Sequence, residues 1–185
     1  RSGPLLEERL QRLKHQGYVG IKLHPRLGQF CFDDIRLRRL LPAATDAGLI
    51  VLLCTYPFGR NLDPRRMTID CLAELLLSTG AEGLVLLHGG LSRLLELADV
   101  VRECRGVLLD LSFTMLRYSG SSVDADLKYV CQRFDQKLCV GSDHPQYSLS
   151  EFREKFEWLV AGLTEDRKRN IAGDNLHRLL GDRHR

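Results

Sequence analysis

The chain has 185 residues, 44% hydrophobic and 28% charged, with 27 basic against 24 acidic side chains and a formal charge of +3. Those proportions are ordinary for a globular protein, and the length is enough to bury a sizeable core. No apolar run approaches the roughly 20 residues a membrane-spanning helix needs, and no basic stripe is interleaved with aromatics, so neither membrane nor nucleic acid is an expected partner.

The opening Arg1-Ser2-Gly3-Pro4 reads as neither a signal nor a transit peptide, because Glu7 and Glu8 follow it and no apolar stretch does. Residues 5–15 space Leu5, Leu6, Leu10 and Leu13 among charged side chains as an amphipathic helix, which Gly17 stops. Residues 19–23 form a short strand, and Pro25, which cannot continue a central ladder, leaves His24 at its end. A second helix starts at Asp33 or Asp34, with Ile35, Leu37, Leu40, Leu41 and Ala44 as its apolar set. Pro42 is expected to kink or divide it. The continuous apolar run over 49–54 then marks a strand buried on both faces, ending at Cys54.

After a polar loop over 61–66, the spacing of Ile69, Leu72, Leu75 and Leu76 predicts a third helix, closed by Gly80. A strand over 84–87 ends in His88-Gly89-Gly90, and residues 91–102 form the next helix. A strand over 107–111 carries Asp110, residues 112–122 read as a loop, and residues 123–134 as a helix. Leu138-Cys139-Val140 then runs through Gly141-Ser142 to Asp143, His144 and Pro145, an apolar strand delivering an acid at its end. Residues 149–163 and a last segment near 175–180 read as helices, and Arg183, His184 and Arg185 as a solvated tail. The six cysteines include no CxxC pair and fall largely inside apolar patterns, so a reducing, cytoplasmic compartment is expected.

The strand ends at His24, Cys54, His88, Asp110 and Asp143 are 22 to 34 residues apart. A strand–helix–strand step takes roughly 30 residues, so the chain reads as one α/β domain of five parallel strands. Either an open doubly wound sheet or part of a (β/α)8 barrel fits that count. In both, ligands sit at the carboxyl ends of strands. Asp143 is better placed there for chemistry than on a helix surface, although an Asp at a turn also serves simply as a cap.

Gly20-Ile21-Lys22-Leu23-His24-Pro25, Leu87-His88-Gly89-Gly90, Val140-Gly141-Ser142-Asp143-His144-Pro145 and the segment from Asn170 to Leu180 resemble, in order and spacing, the amidohydrolase-related family of TIM-barrel hydrolases and decarboxylases. The similarity covers essentially the whole chain and corresponds to the last five strands of such a barrel. It implies an incomplete (β/α) TIM-barrel fold with about five of eight strands. It also implies a divalent metal, zinc in most members, that activates a water or orients a small carboxylated or lactone-like substrate. Asp143 maps onto the Asp of the family's last strand, a metal ligand and proton acceptor. His88 maps onto a histidine that is a ligand in some members and touches substrate in others.

The resemblance thus gives Asp143 and His88 as catalytic residues and Asp143, His88 and Cys54 as metal ligands, while their places at the strand ends make Lys22, His24 and His144 the expected substrate-binding residues. Cys54 stands where the family offers a histidine, and the bland reading makes it a small buried residue. The family's His-x-His pair occurs nowhere in this sequence. Two further readings follow: a metal-free barrel serving as a binding or assembly module, and the carboxyl-terminal part of a longer enzyme. Either an amino-terminal segment or a second copy is expected to cover the open barrel edges.

Overall fold

The computed structural model describes residues 5–181; the opening tetrapeptide and the tail with Arg183, His184 and Arg185 lie outside the described residues. Helix α1 (Leu6–His15) leads into strand β1 (Gly20–Leu23), followed at once by a helical turn, α2 (Pro25–Gly28). Helix α3 (Ile35–Asp46) precedes β2 (Ile50–Cys54), α4 (Ile69–Thr79) precedes β3 (Leu84–Leu87), and α5 (Leu94–Glu103) precedes β4 (Val107–Asp110). The short α6 (Thr114–Arg117) and α7 (Val123–Arg133) lie between β4 and β5 (Leu138–Cys139). Helices α8 (Leu149–Val160), α9 (Glu165–Arg169) and α10 (Asn175–Gly181) follow.

Local chemistry sets these boundaries. The Asp34 carboxylate accepts the Arg36 N–H at 2.8 Å and caps α3, and Thr68 accepts the Cys71 N–H at 3.2 Å to cap α4. Ser148 and Glu151 form a reciprocal capping box on α8. Pro42 does not divide α3, which runs unbroken through it. One lost N–H is outweighed by the buried stripe of Leu37, Leu41 and Ala44, each such leucine contributing about 2 kcal/mol. The helix expected from residue 91 starts at Leu94, because Gly89, Gly90 and Leu91 adopt positive φ in a tight turn. The expected loop after β4 contains α6.

The five strands form one parallel sheet in the order β1-β2-β3-β4-β5, with Val51 opposite Ile21 and Leu84, and Leu109 opposite Leu86 and Leu138. Alternation splits the strand residues into two sets. Val51, Leu53, Leu84, Leu86, Val107 and Leu109 pack with the buried leucines of the flanking helices in the larger core. Ile50, Leu52, Val85, Leu87, Leu108 and Cys139 form a second cluster with Leu176, Leu179 and Leu180 of α10. Asn175 anchors that helix, its side-chain amide donating to the carbonyls of Asp135 at 2.6 Å and Leu138 at 2.7 Å. The chain's own last helix therefore covers the second sheet face, leaving its carboxyl-terminal end for a cleft.

Candidate active site

A cleft of about 410 Å³ opens at the carboxyl ends of the strands, lined by Lys22, His24, Arg26, Cys54, Tyr56, His88, Phe113, Arg117, Asp143, Gln146 and Tyr147. Lys22 lies on β1 and His24 just past it, Cys54 ends β2, His88 follows β3, and Phe113 and Asp143 stand just beyond β4 and β5. Five of the six residues singled out from sequence thus meet in one place. His144 does not line the cleft; it is exposed, and its backbone N–H bonds the Ser142 hydroxyl at 3.2 Å.

Sequence reasoning passed over Arg26, Arg117, Tyr56, Phe113, Gln146 and Tyr147. Arg26 and Arg117 sit on single helical turns with no motif of their own, and only the folded strand ends bring them inward. The aromatic rings form a chain centred on Phe113, 5.5 Å from the His88 ring and 6.0 Å from those of Tyr56 and Tyr147. The Arg26 guanidinium lies 5.3 Å from the Tyr56 centroid.

Backbone strain gathers at the same strand ends. His88, Phe113 and Asp143 adopt left-handed φ values of 70°, 62° and 53°. For a residue with a Cβ that conformation costs about 1 kcal/mol, and it persists only where the surroundings enforce it.

At His88 the enforcement is explicit. The Thr55 hydroxyl donates to the Leu87 carbonyl at 2.6 Å and accepts the Gly90 N–H at 3.1 Å. The Thr114 hydroxyl donates to the His88 carbonyl, and the His88 N–H donates to Asp110 Oδ2 at 3.3 Å. Asp110 also accepts the Ser112 N–H on Oδ1 at 3.2 Å and the Ser112 hydroxyl on Oδ2. Ser112 Oγ stands 3.5 Å from His88 Nδ1, a long hydrogen bond. Gly89 and Gly90 supply positive φ, and a Cβ at Gly89 would come within 3.4 Å of the Asp110 carbonyl.

Burial pushes the Asp110 carboxyl up to about 6, against its hydrogen bonds from Ser112 and the His88 N–H, which favour the charged form. Burial holds the His88 imidazole below its ordinary value; Asp143 opposes this and Lys22 reinforces it. The His24 imidazole is lowered by burial and by the charges of Arg26 and Lys22, and its Nδ1 is buried without a hydrogen-bond partner. Burial raises the Cys54 thiol, although Lys22 and Arg26 pull the other way. Neutral imidazoles are competent donors as they stand, whereas the buried Cys54 thiol would have to lose its proton first. Among the described residues no three His, Cys, Asp or Glu side chains gather as a metal-holding group, and three cations, Lys22, Arg26 and Arg117, line the same cleft. As arranged, these residues do not fit a divalent ion.

Consecutive parallel β/α units with a cleft at their carboxyl ends define a protein of the (β/α)-barrel class, here with five strands. The chain belongs to the amidohydrolase family, whose model matches residues 3–181. It superposes on an uncharacterized TIM-barrel protein from Bordetella bronchiseptica with a TM-score of 0.80 at 20% identity, over 100% of this chain and 66% of that one. A putative 2-pyrone-4,6-dicarboxylic acid hydrolase from Pseudomonas putida gives a TM-score of 0.63 at 19% identity, over 98% and 70% of the two chains. A dihydroxybenzoic acid decarboxylase from a Polaromonas species, with bound manganese and the inhibitor 2-nitroresorcinol, gives 0.65 at 13% identity, over 95% and 64%. The chain thus spans about two thirds of the length of these structures, and the fold is that of an incomplete TIM barrel. No curated protein matches the sequence.

Proposed function

We propose that the cleft binds a small planar carboxylate and supports hydrolysis of a lactone or ester within it, or its decarboxylation. One observation carries this reading. Three cations, Lys22, Arg26 and Arg117, and the rings of Tyr56, Phe113 and Tyr147 surround a space that holds the carboxylate of Asp143 and two neutral imidazoles. Guanidinium groups pair with carboxylates in a planar fork, and aromatic walls suit a flat ring. The hydrolase and decarboxylase among the structural neighbours carry names of that substrate class.

In this scheme Lys22, Arg26 and Arg117 hold the substrate's carboxylates and offset negative charge that develops on a carbonyl oxygen. Asp143 accepts the proton of the attacking water, His88 accepts a hydrogen bond from that water or from a substrate hydroxyl, and His24 orients the reacting carbonyl. A general base of this kind contributes about 10²- to 10⁴-fold. No step is assigned to zinc, the ion the family resemblance implies, because among the described residues no three candidate donors gather as a metal-holding group. The same reading makes the protein cytoplasmic, in keeping with six free thiols.

The test is turnover of 2-pyrone-4,6-dicarboxylate and of dihydroxybenzoates by the purified chain, with and without added zinc or manganese, beside Asp143→Asn. Turnover cut at least 100-fold in the variant, with KM little changed, supports the reading. No turnover and no carboxylate binding under any metal condition overturns it.

A further inference from the structure

The buried Asp110, at the end of β4, and Ser112, in the turn after it, do not line the cleft, yet both converge on His88. Asp110 is 4% exposed and Ser112 5% exposed, and neither lines the cleft. A carboxylate at this depth needs a reason beyond capping, since each buried charge costs several kcal/mol unless it is hydrogen-bonded. Its partners here are the N–H groups of His88 and Ser112 and the Ser112 hydroxyl.

Those contacts have a direction. An ionised carboxylate only accepts, so the Ser112 O–H must point at Asp110 Oδ2, and its oxygen lone pairs are left facing His88 Nδ1 at 3.5 Å. The Ser112 oxygen therefore favours a proton on Nδ1, the ring nitrogen beside it. The opposite ring nitrogen belongs to a residue that lines the cleft. We propose that Asp110 and Ser112 are positioning residues that fix His88 as the Nδ1–H tautomer, leaving Nε2 unprotonated as the lone pair offered to the cleft.

The arrangement extends the reading of the cleft as an active site, on which its catalytic significance rests, but the tautomer itself is readable without substrate. The ring is further held by the edge contact with Phe113 and by the left-handed backbone at both residues. A tautomer fixed in this way sets which nitrogen acts as base or acceptor, as the buried partners of functional histidines generally do.

The experiment is two-bond proton–nitrogen correlation NMR on ¹⁵N-histidine-labelled full chain at pH 8, with His88→Gln used to assign the signal. The wild type is expected to show protonated Nδ1 and bare Nε2. Ser112→Ala is expected to release the preference, and Ser112→Thr, which keeps the hydroxyl, to restore it. A wild-type ring protonated on Nε2 overturns the proposal without any variant having to fold, and so does a folded Ser112→Ala protein that retains the full Nδ1–H preference. Inactivity on carboxylates with the Nδ1–H tautomer present would count against the functional reading alone.

Discussion

The two ends of the cleft are built differently. At β3 and β4 the strand ends are locked: the carbonyls of Leu87 and His88 each accept a threonine hydroxyl, and the His88 N–H meets a buried carboxylate. At β1, which among the described residues pairs with β2 alone, His24 has a buried Nδ1 with no partner, and Lys22 and Arg26 are exposed. The first end is preorganised by protein alone, whereas the second carries an unspent donor or acceptor beside free charge. A site divided in this way holds the reacting group rigidly and leaves the other wall to be completed by what it binds.

The comparison breaks most readily at Asp110. Asp110→Ala strands two N–H groups and a hydroxyl in the core, and the expected cost is about 4 kcal/mol in urea unfolding. Lys22→Ala at the other end should cost no more than about 0.5 kcal/mol. Equal losses at the two positions would remove the distinction between a locked and an open end.

A pH series tests the same carboxyl with the fold intact. Its folded value is about 6 against an ordinary 3.8, so the folded state binds this proton more tightly than the unfolded state. The stabilisation is complete below about pH 4 and is lost as pH rises through 6, a change of about 3 kcal/mol. His24 and His88 are depressed by burial and push the other way near pH 6. The readout is therefore the urea midpoint of wild type minus that of Asp110→Asn, which should fall between pH 4 and 6.5. A flat difference would place Asp110 in a wetter environment than its burial shows.

Smaller effects are expected from the hydroxyls. Thr114→Val takes the hydroxyl donor from the His88 carbonyl, and Thr55→Val leaves the buried Gly90 N–H without its acceptor while the Leu87 carbonyl keeps the residue-55 N–H; each should cost about 1–2 kcal/mol, measured by thermal or urea unfolding. Hydrogen exchange at the Gly89 and Gly90 amides should speed up in both variants, because those hydroxyls hold the turn after β3 closed.

What the sequence revealed follows the same division. The strands were legible because each is an apolar run closed by a polar residue and a turn, and the candidate residues at their ends were legible for the same reason. Lys22, His24, Cys54, His88 and Asp143 duly meet in the cleft. Asp110 stood out as a strand end, but its role did not, because burial and partners 22 residues away in sequence leave no local pattern. Arg117 was hidden in an expected loop that folds as α6, and Arg26 in a turn after a proline. The covering of the second sheet face was also illegible. Leu176, Leu179 and Leu180 have helical spacing, but only Asn175, bonded to the carbonyls of Asp135 and Leu138, fixes which surface they meet.

The smallest expected effect bears on the open end. His24→Phe keeps a flat ring of similar size and removes a buried nitrogen that has no hydrogen-bond partner. Stability should therefore stay the same or rise by up to about 1 kcal/mol, since an unsatisfied buried polar group is a cost that an apolar replacement relieves. Binding should move the other way: titration calorimetry with 2-pyrone-4,6-dicarboxylate should show at least a tenfold weaker Kd, the loss expected when a hydrogen bond to a charged ligand is removed. A variant that loses more than 1 kcal/mol of stability and binds normally would mean that His24 serves packing. The open end would then reduce to Lys22 and Arg26, whose charges act at longer range and are weakened by salt, so binding would fall steeply with ionic strength.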